Sequence, residues 1–80
     1  MIEERLKDTI LAALGLDDYP LTEKTIAPDV PGWDSLSHVI VLTAVEKEYQ
    51  VRFRANEAMN LANVGALQAL VRRKLEQRAA

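Results

Sequence analysis

The sequence predicts an all-α fold: a four-helix bundle of three long helices and one short helix, with a long loop between helices one and two. Three observations carry that expectation. Apolar residues recur at helical spacing in three separate segments. Residues 35 to 50 contain neither Gly nor Pro. Of 80 residues, 49% are hydrophobic but only 5% aromatic, a balance that suits a small bundle better than a β-sandwich. The length allows one domain, expected to span residues 1 to 80. Such a chain hides only roughly 60% of its unfolded surface, and without cysteine it has no disulfide to help. Packing must carry its stability.

Helix one is expected over about residues 2 to 14. Ile2, Leu6, Ile10, Ala13 and Leu14 keep helical spacing, Glu3 and Glu4 sit at the positive end of the dipole, and Gly15 reads as a left-handed cap. From Leu16 to Asp34 the period disappears, broken by Pro20, Pro28, Pro31 and Gly32. Leu16, Leu21, Ile26, Val30 and Trp33 punctuate this stretch, so it reads as an ordered crossover pinned across the core, with room for a helical turn near residues 22 to 26. Helix two, residues 35 to 50, places Val41, Leu42, Val45 and Tyr49 in one core-facing sector, with His38 at its top. Leu36, Val39, Ile40 and Ala44 fall on the other side, so a second apolar strip needs a cover. Residues 54 to 60 suit a short helix. Asn63 then caps a last helix whose buried stripe is Val64, Leu67, Val71 and Leu75, and whose final turns carry Arg72, Arg73, Lys74 and Arg78 at the negative dipole end.

Charge narrows the function. The net charge of −2 argues against a nucleic-acid binder. Residues 1 to 50 carry net −6 and residues 51 to 80 net +4, an asymmetry that suits a basic partner near the front or a merely solvated surface. No apolar run spans a membrane, and the start MIEERLKDTI lacks the order of a secretory signal, so the expectation is a soluble cytoplasmic protein. With no Cys and a single His, thiolate metal sites and a His-rich zinc centre are excluded. Serine hydrolysis lacks its Gly-x-Ser-x-Gly turn, Glu46 and Glu48 do not face each other as a carboxylate pair, and Asp17-Asp18 lack calcium-loop spacing. An enzyme is not expected.

The segment that stands out is Pro31-Gly32-Trp33-Asp34-Ser35-Leu36, which sets a serine where a Pro/Gly loop becomes a helix. First-turn amides have no partner within a helix and favour an anion, so a phosphate ester on Ser35 would be well held. Equally, Ser35 or Asp34 there serves as an N-cap.

Asp34-Ser35-Leu36 opening an apolar helix after a long loop resembles the modification site of acyl carrier proteins. The likeness runs over nearly the whole chain: the first helix, the loop, Val39 through the Glu46-Lys47-Glu48-Tyr49 end of helix two, Val51-Arg52-Phe53, the short helix, and Asn63-Val64 opening the last. The resemblance implies that a phosphopantetheinyl transferase moves 4′-phosphopantetheine from coenzyme A, with magnesium, onto Ser35. It implies that Asp34 faces that transferase, and that Leu36, Val39, Ile40 and Glu46 meet acyl- or aminoacyl-loading and transfer enzymes. Val39 serves either that patch or packing against the loop. The expected carrier is a monomer with no catalytic residue and no metal of its own. Acyl carriers of bulk fatty acid synthesis are similar in layout but strongly acidic along helix two, where this chain has Ser37, Ile40 and Lys47. Trp33 and the Pro-Gly before it are similar to free-standing carriers of specialised pathways. Val41, Leu42, Val45, Leu67 and Val71 either part to admit an acyl chain or fill the interior, with Met59 and Ala58 flanking from the short helix. His38 is expected as a half-buried structural histidine. The competing class is a helical adaptor that binds through the apolar strip of helix two and is never modified.

Overall fold

Acidic residues in the first turn and apolar residues at helical spacing set the first helix. In the computed structural model, which describes residues 2–79, α1 spans Glu4–Leu14 and buries Leu6, Ile10 and Leu11. It starts at Glu4 and not at residue 2, because Glu3 is extended and its backbone N–H donates to the Gln68 side-chain carbonyl on the last helix. A tertiary partner for that amide competes with another helical turn. At the far end Gly15 takes φ 72°, and the amides of Gly15 and Leu16 donate back to Ala12 and Leu11. This is a Schellman closure, which needs the left-handed residue that glycine supplies.

The long loop is ordered, as its apolar residues predict, but its anchors are only partly those expected. Leu21, Val30 and Trp33 are buried in the core and Leu16 packs at its edge, whereas Ile26 is exposed. Residues 22 to 26 make one hydrogen-bonded turn, Thr25 N–H to the Thr22 carbonyl at 3.1 Å, and the helical turn proper is a 3₁₀ turn displaced to Ala27–Asp29. Pro28 explains the shift: it fits the start of a helical turn, where its missing N–H has no bond to lose. What secures the middle of the loop is backbone. The Glu23 carbonyl accepts from Gly65 N–H at 2.8 Å and the Thr25 carbonyl from Val64 N–H at 2.9 Å.

Helix α2, Ser35–Tyr49, buries Val41, Leu42, Val45 and Tyr49, the predicted sector. Gln50 ends it in the left-handed region at φ 55°. Its far end is tied to α1. The Arg5 guanidinium donates to the Glu48 carboxylate and to the Glu48 backbone carbonyl, both at 2.7 Å, and lies 4.4 Å over the Tyr49 ring. The Tyr49 hydroxyl donates to Glu3 at 2.9 Å, and burial, with that acceptor beside it, pushes the phenol up to about 12.

Helix α3, Ala55–Met59, and α4, Val64–Ala79, complete the bundle. On α4, Val64, Leu67 and Val71 are buried with Leu75 at the edge of the core; Leu70 and Gln68 join them unannounced by the stripe. The basic tail is more than a dipole partner: Lys74 and Arg73 reach Glu57 of α3, at 2.8 and 3.7 Å. The Glu57 carboxylate also takes the Arg54 N–H at 2.8 Å, so one acid fixes both the start of α3 and its seat on α4. Arg78 of that tail lies outside the residues whose side chains are described. Among the described residues no helix is long and apolar enough to cross a membrane.

The opening turn of α4 holds the architecture together. Its amides go to Thr25, Glu23 and, from Ala66, to the Asn63 side chain at 2.8 Å, the predicted cap. Gly65 permits the approach, since a Cβ there would stand 2.9 Å from the Glu23 carbonyl oxygen and 3.1 Å from its Cβ. Gly65→Ala is expected to lower unfolding free energy by roughly 1–3 kcal/mol, the usual range for a small overpacking change. The reading is a lower urea midpoint at unchanged slope; an unaltered midpoint would show that the loop does not depend on this seat.

Candidate functional site

The end of the loop and the start of α2 form the site. Pro31-Gly32 turns the chain, with Gly32 at φ 80°, and Trp33 follows into the core. Asp34 is the N-cap: its carboxylate accepts from the Ser37 N–H at 2.8 Å, while its own carbonyl accepts from His38 N–H. The Ser37 amide, then the Ser37 hydroxyl, hold this carboxyl below the ordinary carboxylate range. The capping question left open by position alone is thus answered for Asp34. Ser35 is the first helical residue, exposed, and its side chain makes no hydrogen bond among the described residues. Its hydroxyl is free to be esterified without breaking anything.

Around it lies the second apolar strip of α2. Leu36 is 74% exposed, Val39 60% and Ile40 49%, so Val39 does not pack under the loop. Met59 on α3, expected to flank the core, is 83% exposed. The cause is simple: α3 is so short that Ala58 is its one half-buried apolar residue, and the next residue rotates to solvent. Glu46, expected to meet partner enzymes, also has a partner within the fold. Its carboxylate accepts from the Phe53 N–H at 2.8 Å and holds the segment after α2. Glu48 is likewise engaged, by Arg5. The exposed positions of α2 therefore include the apolar Leu36, Val39 and Ile40 together with Thr43, Lys47 and the Arg5-paired Glu48.

Behind the serine stands a strut that sequence reasoning only half found. The Trp33 indole N–H donates to His38 Nδ1 at 3.0 Å, and the rings stack with centroids 6.0 Å apart. An indole is donor only, so Nδ1 must be the unprotonated nitrogen, and Nε2–H then donates to the Ala58 carbonyl at 3.2 Å. His38 is half-buried and structural, as expected, but its two bonds join the loop, α2 and α3. The sole hint in the sequence is that one aromatic and one imidazole flank Asp34-Ser35.

The core candidates for an acyl pocket fill the interior, one of the two arrangements expected of them. Val41, Leu42, Val45, Leu67 and Val71 pack together in the core cluster. A small cavity of about 30 Å³ lies among Trp33, His38, Leu61, Val64 and Leu67, so of the five only Leu67 reaches it. Among the described residues there is no cluster of His, Cys, Asp or Glu able to hold a metal.

Comparison with known proteins agrees with this geometry. No protein-family model matches the chain. It is similar to the acyl carrier protein of Clostridium acetobutylicum, 32% identical over 65 residues that cover 81% of this chain and 84% of that protein. It is 28% identical over 72 residues to the acyl carrier protein of Buchnera aphidicola subsp. Baizongia pistaciae, covering 90% of this chain and 92% of that one. Its fold is similar to the solution NMR structure of a holo acyl carrier protein from Geobacter metallireducens, with TM-score 0.85 and 35% identity over 92% of this chain and 85% of the other.

The Asp34 cap has a pH signature. A carboxyl held low in the folded state contributes stability above its unfolded value, about 3.9, and loses it as pH falls through the lower folded value. Asp34→Asn keeps a capping carbonyl and removes the titration. Its urea midpoint should therefore fall less steeply than that of the wild type below about pH 4, with Glu57, held low chiefly by Lys74, supplying part of the remaining slope. Identical slopes for the two proteins would exclude the cap as an acid-labile element.

Proposed function

The chain belongs to the acyl carrier protein family, and on that premise we propose that Ser35 is its attachment point and a specialised biosynthetic pathway its setting. It is a carrier of acyl groups on 4′-phosphopantetheine, not an enzyme. The observation that carries the assignment to Ser35 is its exposed, unbonded hydroxyl at the first position of α2, beside an exposed capping carboxylate.

The residues present fit the group. Ser35 supplies the oxygen that a phosphopantetheinyl transferase esterifies from coenzyme A. Asp34 fixes the first turn through Ser37, so the oxygen is presented from a rigid helix, and its exposed carboxylate gives the transferase an anion to engage. When bound, the group supplies a terminal thiol that holds an acyl or aminoacyl group as an exchangeable thioester. The chain then needs no catalytic side chain of its own. Leu36, Val39 and Ile40 form the surface that acyl-processing enzymes cover. Because Glu46 and Glu48 spend their carboxylates within the fold, this surface suits dedicated loading and transfer enzymes with an apolar face. Synthase enzymes that read a row of acids fit it less well. Residues 1–80 act as one carrier domain and work as a monomer.

Incubation with coenzyme A, magnesium and a broad-specificity transferase should raise the intact mass by one arm, and Ser35→Ala should show no gain. An unchanged wild-type mass, with the transferase active on a control carrier, would remove this reading and leave the unmodified adaptor. Ile40→Glu tests the docking face. Its side chain is half in solvent, so stability should change by no more than roughly 0.5 kcal/mol and modification of Ser35 should persist. Transfer by the dedicated loading enzyme should fall about tenfold, equivalent to about 1.4 kcal/mol of docking. A sharp drop in melting temperature would instead make Ile40 a core residue.

A further inference from the structure

We propose that the Trp33–His38–Ala58 strut is a gate that determines cargo: it seals the bundle behind Ser35, so the carried group stays outside the protein and is a short or polar acyl or aminoacyl group. The proposal rests on attachment at Ser35. Trp33 lies two residues before that serine, and His38, three residues after it on α2, falls on the same helical face, so the strut adjoins the attachment point on its inner side. Trp33 is 7% exposed and closes one wall of the cavity, with His38 beside it and Leu61, Val64 and Leu67 behind. The cavity's roughly 30 Å³ accommodates about one water-sized group and not a chain of methylenes. The aliphatic residues beyond it, Val41, Val45 and Val71, are packed against one another.

Opening this route is opposed from both sides. A chain entering past His38 separates its Nδ1 from the indole N–H and its Nε2–H from the Ala58 carbonyl, leaving two donors and two acceptors unpaired in an apolar wall. It also displaces a buried indole that the loop holds through the Trp33 N–H to Val30 bond at 3.2 Å. A long apolar chain that cannot enter stays in water, and each exposed methylene disfavours that state. A closed bundle therefore matches cargo with little apolar surface to hide.

The test loads Ser35 with arms bearing acetyl, butanoyl, hexanoyl and octanoyl groups, confirms each by intact mass, and measures melting temperature and the methyl NMR shifts of Val45, Leu67 and Val71. In the wild type, both readings should be flat in chain length. In Trp33→Ala, melting temperature should rise with each lengthening of the chain, and the three methyl sets should shift with it. Should Trp33→Ala fail to fold, His38→Leu, which keeps bulk and removes both bonds, is read in the same way. A wild type already stabilised and shifted by longer chains overturns the gate, as does a variant as insensitive as the wild type. Absence of any arm on Ser35 is a distinct failure, visible in the mass alone, and it removes the carrier reading with the gate.

Discussion

The structure depends on how a long, irregular segment is seated on the first turn of the last helix. A helix start leaves amides without partners, and a loop leaves carbonyls without partners; Val64 and Gly65 meet Thr25 and Glu23, so each deficit cancels the other. With the middle of the loop fixed, its two ends have little freedom. Leu21 on one side, and Val30 and Trp33 on the other, fall into the core, and the chain emerges at Asp34 at the surface. The start of α2, and with it Ser35, is thus positioned by a contact made far along the chain. Gly65 is small because a backbone carbonyl occupies the space a side chain would need.

Helix α2 is where packing and presentation meet. Its buried sector, Val41, Leu42, Val45 and Tyr49, is enough to hold it in a bundle of this size. The opposite strip of Leu36, Val39 and Ile40 is then surplus to folding, and its exposure costs nothing relative to the unfolded chain. The acids nearby serve other ends. Glu48 and Arg5 join α2 to α1, and Glu46 holds the backbone at Phe53. The acidic front half of the sequence therefore does not translate into an acidic α2, because only Glu46 and Glu48 of its acids lie on that helix and both have partners within the fold.

Local signals made much of this legible before any coordinates. Gly15, Asn63 and the uninterrupted run from 35 to 50 state their helix boundaries through capping chemistry and backbone preference, which act over a few residues. The buried sector of α2 follows from helical angle alone. What was not legible depends on partners distant in sequence. Glu3 leaves the helix for Gln68, Ile26 stays outside while the loop backbone does the anchoring, and Glu46 turns to Phe53. Met59 faces water because α3 is too short to bury more than one flank. At the site, Asp34 and Ser35 stood out through spacing, while the bond between Trp33 and His38 needed the loop to be folded back before its two ends could meet.

Two helix starts in this chain differ in what they leave free. At α4 the opening amides are consumed by Thr25, Glu23 and Asn63, and Gly65 admits no added bulk, so the end is closed to any ligand. At α2 the cap is a single exposed aspartate, and the next side chain is a small, exposed hydroxyl with no bond to lose among the described residues. Chemistry at the first would unseat the loop. Chemistry at the second leaves every hydrogen bond of the fold in place, because Ser35 contributes its backbone to α2 and its side chain to no other group. For a domain of marginal stability, a group added at such a point removes no contact that the fold needs. That asymmetry, more than the identity of the three residues around it, singles out Ser35.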